Sequence, residues 1–254
     1  MPTLYLQDIC YTQLDSITWC ATAKLIRPIP TSIWSDLFKP LAPFDLLLNY
    51  MPFNSKTLLW QINNPKNQLS TPQIAHNRRQ QQRKGVRLLL HSLITKLNIN
   101  DTLNESQFPY RLMNSGYYVC FSHSGMDGLG SGQSNDKVAV AISYRRTIGI
   151  DIETQNIAWT VAQRFYHPAE IDFLVKLPIE QRLVIVKWLW QIKESFIKIY
   201  HYKLAQGLGM NYMAIIPDLM AGLNKDCTTN FLINDNKSDY QIVILSSQQM
   251  LVIF

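Results

Sequence analysis

The stretch PIEQRLVIVKWLWQIKESFIKIYHYK, residues 178 to 203, constrains this chain more than any other. Ile185, Leu189, Ile192, Phe196 and Ile199 recur at the alternating four- and three-residue spacing of a helix with one apolar stripe. Such a stripe has to be covered by another apolar surface. The flanking sequence offers strands for the purpose: YYVCFSHS, KVAVAISY and TIGIDIE before it, then FLIN, YQIVIL and MLVIF after it. Lys187, Gln191, Glu194 and Lys198 are expected round the polar side of the helix. A second long helix is predicted from about Thr71 to Leu97, with Thr71 as N-cap and Pro72 at the first helical position. Its first half is basic and its second half apolar. A shorter helix starts at HPAE, residues 167 to 170, and GLGMNYMAI reads as a turn into a strand. Residues 1 to 65 are rich in proline and aromatics, with short strand-like runs such as Leu58 to Trp60. Each half thus holds a long helix followed by strands, which gives an α/β (α+β) chain with a hint of duplication.

Composition narrows the class further. Hydrophobic residues make up 47% of the chain and charged residues 17%, the balance of a globular protein. Apolar runs such as Leu183 to Val186 fall far short of the roughly 20 residues that span a bilayer, so no membrane association is expected. MPTLYLQDIC lacks a basic region followed by a long apolar run, so no secretory signal is read. Cysteines 10, 20, 120 and 227 have no CxxC spacing and are expected as free thiols in a reducing cytoplasm. The net charge of +6 suits an anionic ligand or partner.

Within GIDIE, residues 149 to 153, strand alternation puts Asp151 and Glu153 on one face, with Ile150 and Ile152 on the other. Two carboxylates about 4 Å apart repel by roughly 4 kcal/mol at an effective dielectric of about 20. Either that face meets water, or positive charge sits between them. Trp190, Glu194 and Lys198 form one row on the long helix, four residues apart. If Glu194 reaches the pair, three acids make a hard oxygen site suited to magnesium; otherwise Glu194 and Lys198 form an ordinary exposed ion pair. His123 is open to two readings, a turn-capping ring or an anion ligand. Arg78, Arg79, Arg83, Lys84 and Arg87 form a solvated basic face or a nucleic-acid patch on composition alone. The loop GMDGLGSGQSND, 125 to 136, has no GK[ST] after its glycines, which argues against a phosphate-cradling P-loop.

GIDIE followed some forty residues later by WQIKESFIK, 190 to 198, resembles the paired signature of the 4′-phosphopantetheinyl transferases, G-[IV]-D-[IV]-E and W-x-x-K-E-[SA]-x-x-K. FSHS before the first motif, RFYHPAE between the two and GLGM after the second extend the likeness to roughly residues 76 to 215. The length is closer to the larger, monomeric Sfp-type branch than to the trimeric holo-acyl-carrier-protein synthases. The resemblance implies a pseudo-dimer of two similar subdomains, 1–147 and 148–254, each a small antiparallel sheet with a long helix, with ligand in the cleft between them. It implies transfer of the 4′-phosphopantetheine group of coenzyme A to a serine hydroxyl of an acidic acyl or peptidyl carrier, releasing 3′,5′-ADP.

The same resemblance assigns residues. Asp151, Glu153 and Glu194 would hold Mg²⁺, with Mn²⁺ as an alternative. Glu194 would take the serine proton, directly or through a metal-bound water, and Lys198 would offset or protonate the phosphate. Ser122, His123, Lys193 and Lys198 would contact coenzyme A phosphates. Arg87, in RLLLHSL, would bind the 3′-phosphate with Arg79 and Arg83 as helpers, a task suited to the forked guanidinium. Gln191 stands where the family often has Ser or Thr, and the inserted loop 125–136 also departs from the pattern. Two rivals remain open: a non-catalytic coenzyme A or carrier-binding relative, and a nucleic-acid-binding module on residues 78 to 87. The absence of interleaved aromatics in that helix argues against nucleic acid as a partner.

Overall fold

A computed structural model describes residues 4–26, 71–125, 136–223, 230–235 and 238–254. The strand-like run Leu58 to Trp60 and most of the glycine-rich loop, 126–135, lie outside the described residues.

Strands β1 (Tyr5–Gln13), β2 (Thr18–Ile26), β3 (Leu103–Asn104), β4 (Arg111–Leu112), β5 (Tyr118–Ser124) and β6 (Asp136–Ser143) form one sheet in the order β1-β2-β6-β5-β4-β3. Its paired strands are all antiparallel. Strands β7 (Gly149–Ile152), β8 (Phe231–Asp235), β9 (Tyr240–Leu245) and β10 (Met250–Ile253) form a second sheet, β7-β10-β9-β8. Each sheet carries a long helix, α1 (Thr71–Lys96) on the first and α4 (Ile179–Tyr200) on the second. Between β7 and α4 run the short helices α2 (Trp159–Phe165) and α3 (Pro168–Leu174). The chain crosses from one sheet to the other between Ser143 and Gly149.

Residue alternation explains the layering. In β6 the larger Val138, Val140 and Ile142 face α1, where Val86, Leu89, Leu90 and Leu93 cover them. The smaller Ala139 and Ala141, with Cys20 and Cys120, face the second sheet and meet Ile150, Ile152, Val243 and Val252. Small side chains on the seam allow the two sheets to approach closely back to back. The far face of the second sheet takes the α4 stripe: Ile185, Leu189, Ile192, Phe196 and Ile199 are all buried against Ile242, Ile244, Leu251 and Ile253. Each such side chain, fully withdrawn from water, contributes about 1.5–3 kcal/mol. The order helix, sheet, sheet, helix follows from which face of each strand is apolar.

Two expectations change. GLGMNYMAI, 207–215, holds no strand: it runs from the end of α5 (Leu204–Leu208) through a turn to a 3₁₀ turn at Met213–Ile215, and α6 (Ile216–Leu223) follows. Ile215, Ile216 and Leu219 recur at helical spacing and are buried in the α4 core, which a two-residue period would not achieve. Gln191 is not on the polar side of α4; it is 2% exposed, because its amide is needed at the sheet (below).

Beyond α1, Asp101 fixes the loop that leads into β5. Its carboxylate accepts from the backbone N–H groups of Thr102, Asn114 and Ser115, and from the side chains of Asn114 and Ser115. Burial would raise its pKa, but these donors outweigh burial and hold it well below the usual carboxylate range. A depressed folded-state pKa gives stability that is whole above the ordinary value of about 4 and is lost as pH falls below it. Asp101→Asn is expected to lower the melting temperature at neutral pH by about 3–6 °C. In calorimetry the gap to wild type should narrow as the solution is acidified.

Candidate functional site

The end of β5, the strand β7 and the helix α4 meet where the two halves join. Gly149 makes this possible. A Cβ there would lie 2.4 Å from the Ser195 carbonyl oxygen, so only glycine lets α4 press this close to β7. The close approach brings Lys198 onto Asp151. Lys198 Nζ donates to Ile150 O at 2.6 Å, to Asp151 Oδ1 at 3.0 Å and to Ser122 Oγ at 3.3 Å. The positive charge sought for this acidic face is therefore the ammonium of Lys198. Its three N–H donors are all taken up by the protein. Burial would lower the Lys198 pKa, yet Asp151, Cys120 and Glu194 together hold it above the usual lysine range.

Glu194 stands one turn before Lys198 and is half-buried. Burial first, and then the charges of Asp151 and Glu153, push its carboxyl above the usual range against the opposing pull of Lys198. Glu194 thus shares the field of the acidic pair. Among the described residues it makes no side-chain hydrogen bond, and no three His, Cys, Asp or Glu side chains converge tightly enough to hold a metal ion. Asp151 and Glu153 each engage one oxygen with protein donors, Oδ1 and Oε1. Their second oxygens accept nothing from the described residues. The spare oxygens of Asp151 and Glu153 are the donor type that a hard divalent cation takes, with Glu194 coupled to them through its charge rather than by direct contact.

Beside this cluster a cleft of about 530 Å³ is lined from both halves of the chain. Arg78, Arg79 and Gln82 come from α1, His123 to Gly125 from the end of β5, Glu153 from the exit of β7, and Val161 and Trp190 from α2 and α4. Arg78 donates through Nε and Nη2 to Asp136 Oδ1, at 3.0 and 2.7 Å. Gly125 lies against this pair; a Cβ would fall 1.8 Å from Asp136 Oδ1. His123 is on the α1 face of β5, opposite in direction to Ser122 and Ser124. Partial loss of water around its ring, and the Lys198 charge, lower its pKa despite Asp136 and Asp151.

The residues named from sequence divide accordingly. Asp151, Ser122 and Lys198 are in direct contact, Glu194 joins them electrostatically, and Glu153, His123 and Arg79 line the cleft. Arg83 and Arg87 do not line it. Arg87 is ion-paired with Glu105, donates to Arg83 O at 2.6 Å and lies over the Phe121 ring. The helical repeat of 3.6 carries each four-residue step about 40° round, so Arg79, Arg83 and Arg87 do not share one contact.

Lys193 also departs from expectation, since its ammonium has no surface for a phosphate to touch. The side chain is fully buried, with Nζ 2.9 Å from Glu170 Oε2, 2.5 Å from Met210 O, and about 5.0 Å from the ring centres of Tyr166 and Tyr212. Glu170 also accepts from the backbone N–H groups of His167 and Tyr212, closing a capping box at the start of α3. Sequence reasoning named Arg78 only as part of the basic cluster and Gln191 only as a departure from the pattern, and gave neither of them, nor Ser124, a place in the site. Gln191 Nε2 donates to Asp151 O at 3.3 Å and Gln249 O at 3.0 Å, tying α4 to both β7 and the turn before β10. The Ser122–Ser124 spacing of two, matching that of the two acids, was a signal for Ser124.

Breaking a buried pair by removing one partner leaves an uncompensated charge, at a cost of about 3–5 kcal/mol. Lys193→Met is expected to destabilise the protein by that amount in urea titration. Adding Glu170→Leu should recover only part of it, because two backbone N–H groups then lose their acceptor.

Residues 147–245 match the family model described as the 4′-phosphopantetheinyl transferase superfamily. The chain is also 36% identical over 69 residues to the 4′-phosphopantetheinyl transferase HetI of Nostoc sp. (strain PCC 7120 / SAG 25.82 / UTEX 2576). That alignment covers 26% of this chain and 29% of the relative, well under two thirds of its length.

Proposed function

From the match of residues 147–245 to the 4′-phosphopantetheinyl transferase superfamily we propose that the chain moves the 4′-phosphopantetheine arm of coenzyme A onto a serine of an apo carrier protein. 3′,5′-ADP is the product released. The observation that carries this reading is that Ser122, Asp151 and Lys198, from three separate sequence motifs, touch one another beside a cleft lined by Arg78, Arg79 and His123. Phosphoryl transfer asks a protein chiefly for positioning and for charge placed where negative oxygens gather. An acidic cluster facing a basic wall supplies both signs.

Asp151, Glu153 and Glu194 would hold Mg²⁺. When bound, the ion supplies neutralising charge on the diphosphate oxygens. The chain's own groups do the rest. Arg79 and His123 line the cleft as donors for phosphate, and Trp190 and Val161 give it an apolar wall. Glu194 accepts the proton of the carrier serine; its raised pKa makes it a stronger base than an exposed carboxylate. Lys198, 3.0 Å from Asp151 Oδ1, reduces the repulsion that an incoming diphosphate meets. The net charge of +6 favours an acidic carrier. No helix among the described residues is long and apolar enough to cross a membrane.

The test is to incubate the protein with a panel of apo carriers, coenzyme A and Mg²⁺ and follow each carrier by mass spectrometry. A gain of one phosphopantetheine supports the reading; unchanged carriers across the panel refute it. Asp151→Asn, which keeps an oxygen for Lys198 and Ser122 but removes the charge, should abolish the gain while keeping a wild-type circular dichroism spectrum. Arg79→Ala is expected to weaken coenzyme A about tenfold more than dephospho-coenzyme A, as loss of a charge-assisted contact of about 1.4 kcal/mol would. Arg87→Ala, already engaged by Glu105, should affect the two ligands alike.

A further inference from the structure

We propose that Ser122 and Ser124 are positioning residues that aim the acidic pair, and that Ser122 is not a phosphate contact. The inference rests on the reading of Asp151 and Glu153 as cation ligands. Ser122 Oγ donates to Asp151 Oδ1 at 2.9 Å, and accepts from Ile152 N–H at 3.2 Å and Lys198 Nζ at 3.3 Å. Ser124 Oγ repeats the pattern two residues on: it donates to Glu153 Oε1 at 2.9 Å, accepts from Thr154 N–H at 3.1 Å and meets Thr154 Oγ1 at 2.9 Å. Each serine–carboxylate pair is 29 residues apart in sequence and each serine–amide pair 30, so β5 and β7 run side by side in the same direction.

A hydroxyl has one proton and two acceptor sites. In Ser122 the proton goes to the carboxylate, and the lone pairs go to a backbone N–H and an ammonium. Its capacity is therefore used up, and its residue is 6% exposed. Ser124, 8% exposed, has the same three partners by type: a carboxylate, a backbone N–H and a third polar group. The backbone amide fixes where each serine oxygen sits, because β7 is an edge strand of its sheet and its outward N–H groups need acceptors. The serine proton then fixes one carboxylate oxygen and leaves the other, Asp151 Oδ2 or Glu153 Oε2, unengaged by the described residues. A hydrogen bond of this kind restricts the carboxylate to one rotamer before any ion arrives, and partners that orient ligating carboxylates typically change metal affinity 10–100-fold when removed.

Two binding measurements on the intact protein decide the matter, and neither requires turnover. Mn²⁺ is titrated calorimetrically into wild type, Ser122→Ala, Ser124→Ala and Ser122→Thr. Coenzyme A is titrated separately in the presence of EDTA. The alanine variants are expected to bind Mn²⁺ about 10–100-fold more weakly, Ser122→Thr should recover most of the loss, and metal-free coenzyme A affinity should stay within about twofold of wild type. A Ser122→Ala variant that keeps Mn²⁺ affinity but loses coenzyme A would show a phosphate contact and overturn the proposal. A wild type that binds no Mn²⁺ overturns it as well. Melting curves identify any variant that does not fold; Ser124→Ala, at the strand end, then carries the test in place of Ser122→Ala. If wild type transfers nothing to any carrier, the transferase reading fails on its own, while these two titrations still decide what the serines do.

Discussion

The arrangement depends on Lys198 lying against Asp151. A carboxylate that is 7% exposed calls for a counter-charge, and the Lys198 ammonium of α4 supplies it at 3.0 Å from Asp151 Oδ1. For that reach to exist, α4 has to press on β7 closely enough that Ser195 O would collide with any side chain at position 149. The apolar stripe of α4 supplies the force holding it there, and Gln191 supplies the register by bonding the carbonyls of Asp151 and Gln249. Packing and electrostatics are thus one problem at this point of the chain, since the hydrophobic stripe sets the distance at which the charges meet.

Much of the architecture was legible beforehand. The stripe from Ile185 to Ile199 and the strand runs around it are expressed in residue periodicity, and a period of 3.6 or 2 survives whatever the tertiary partners turn out to be. The segment GLGMNYMAI, 207–215, was misread because it is short and punctuated by Gly207, Gly209 and Asn211, so a short helical turn and a short strand leave nearly the same trace. Strand β2 was hidden for another reason: a strand buried on both faces shows little alternation to read.

At the site, residue types were easier to foresee than partners. Asp151 and Glu194 stand out as acids in apolar surroundings, but nothing in one dimension says that Lys193 turns inward to Glu170 and Lys198 to Asp151. Two lysines five residues apart differ by about 140° round a helix, which is enough to send one into a tyrosine-lined core and the other to the seam between sheets. The HPAE, KE and GLGM segments, read as a set, meet at the Lys193 ammonium through Glu170 and Met210. Their common point is a structural clasp, so shared motifs here report how the lower half is fastened as well as where chemistry happens.

Gly125 and Asp136 bracket the loop, 125–136, at which this chain departs from the signature it resembles. Both brackets are fastened at one place, with the Asp136 carboxylate seated on the Arg78 guanidinium and the Gly125 backbone flush against it. The Arg78–Asp136 pair thus joins helix α1 to the starting end of β6 beside the cleft that Arg78 lines. Loosening that joint would shift a wall of the cleft and a strand of the sheet at once, which makes Arg78 a structural member as well as a surface charge.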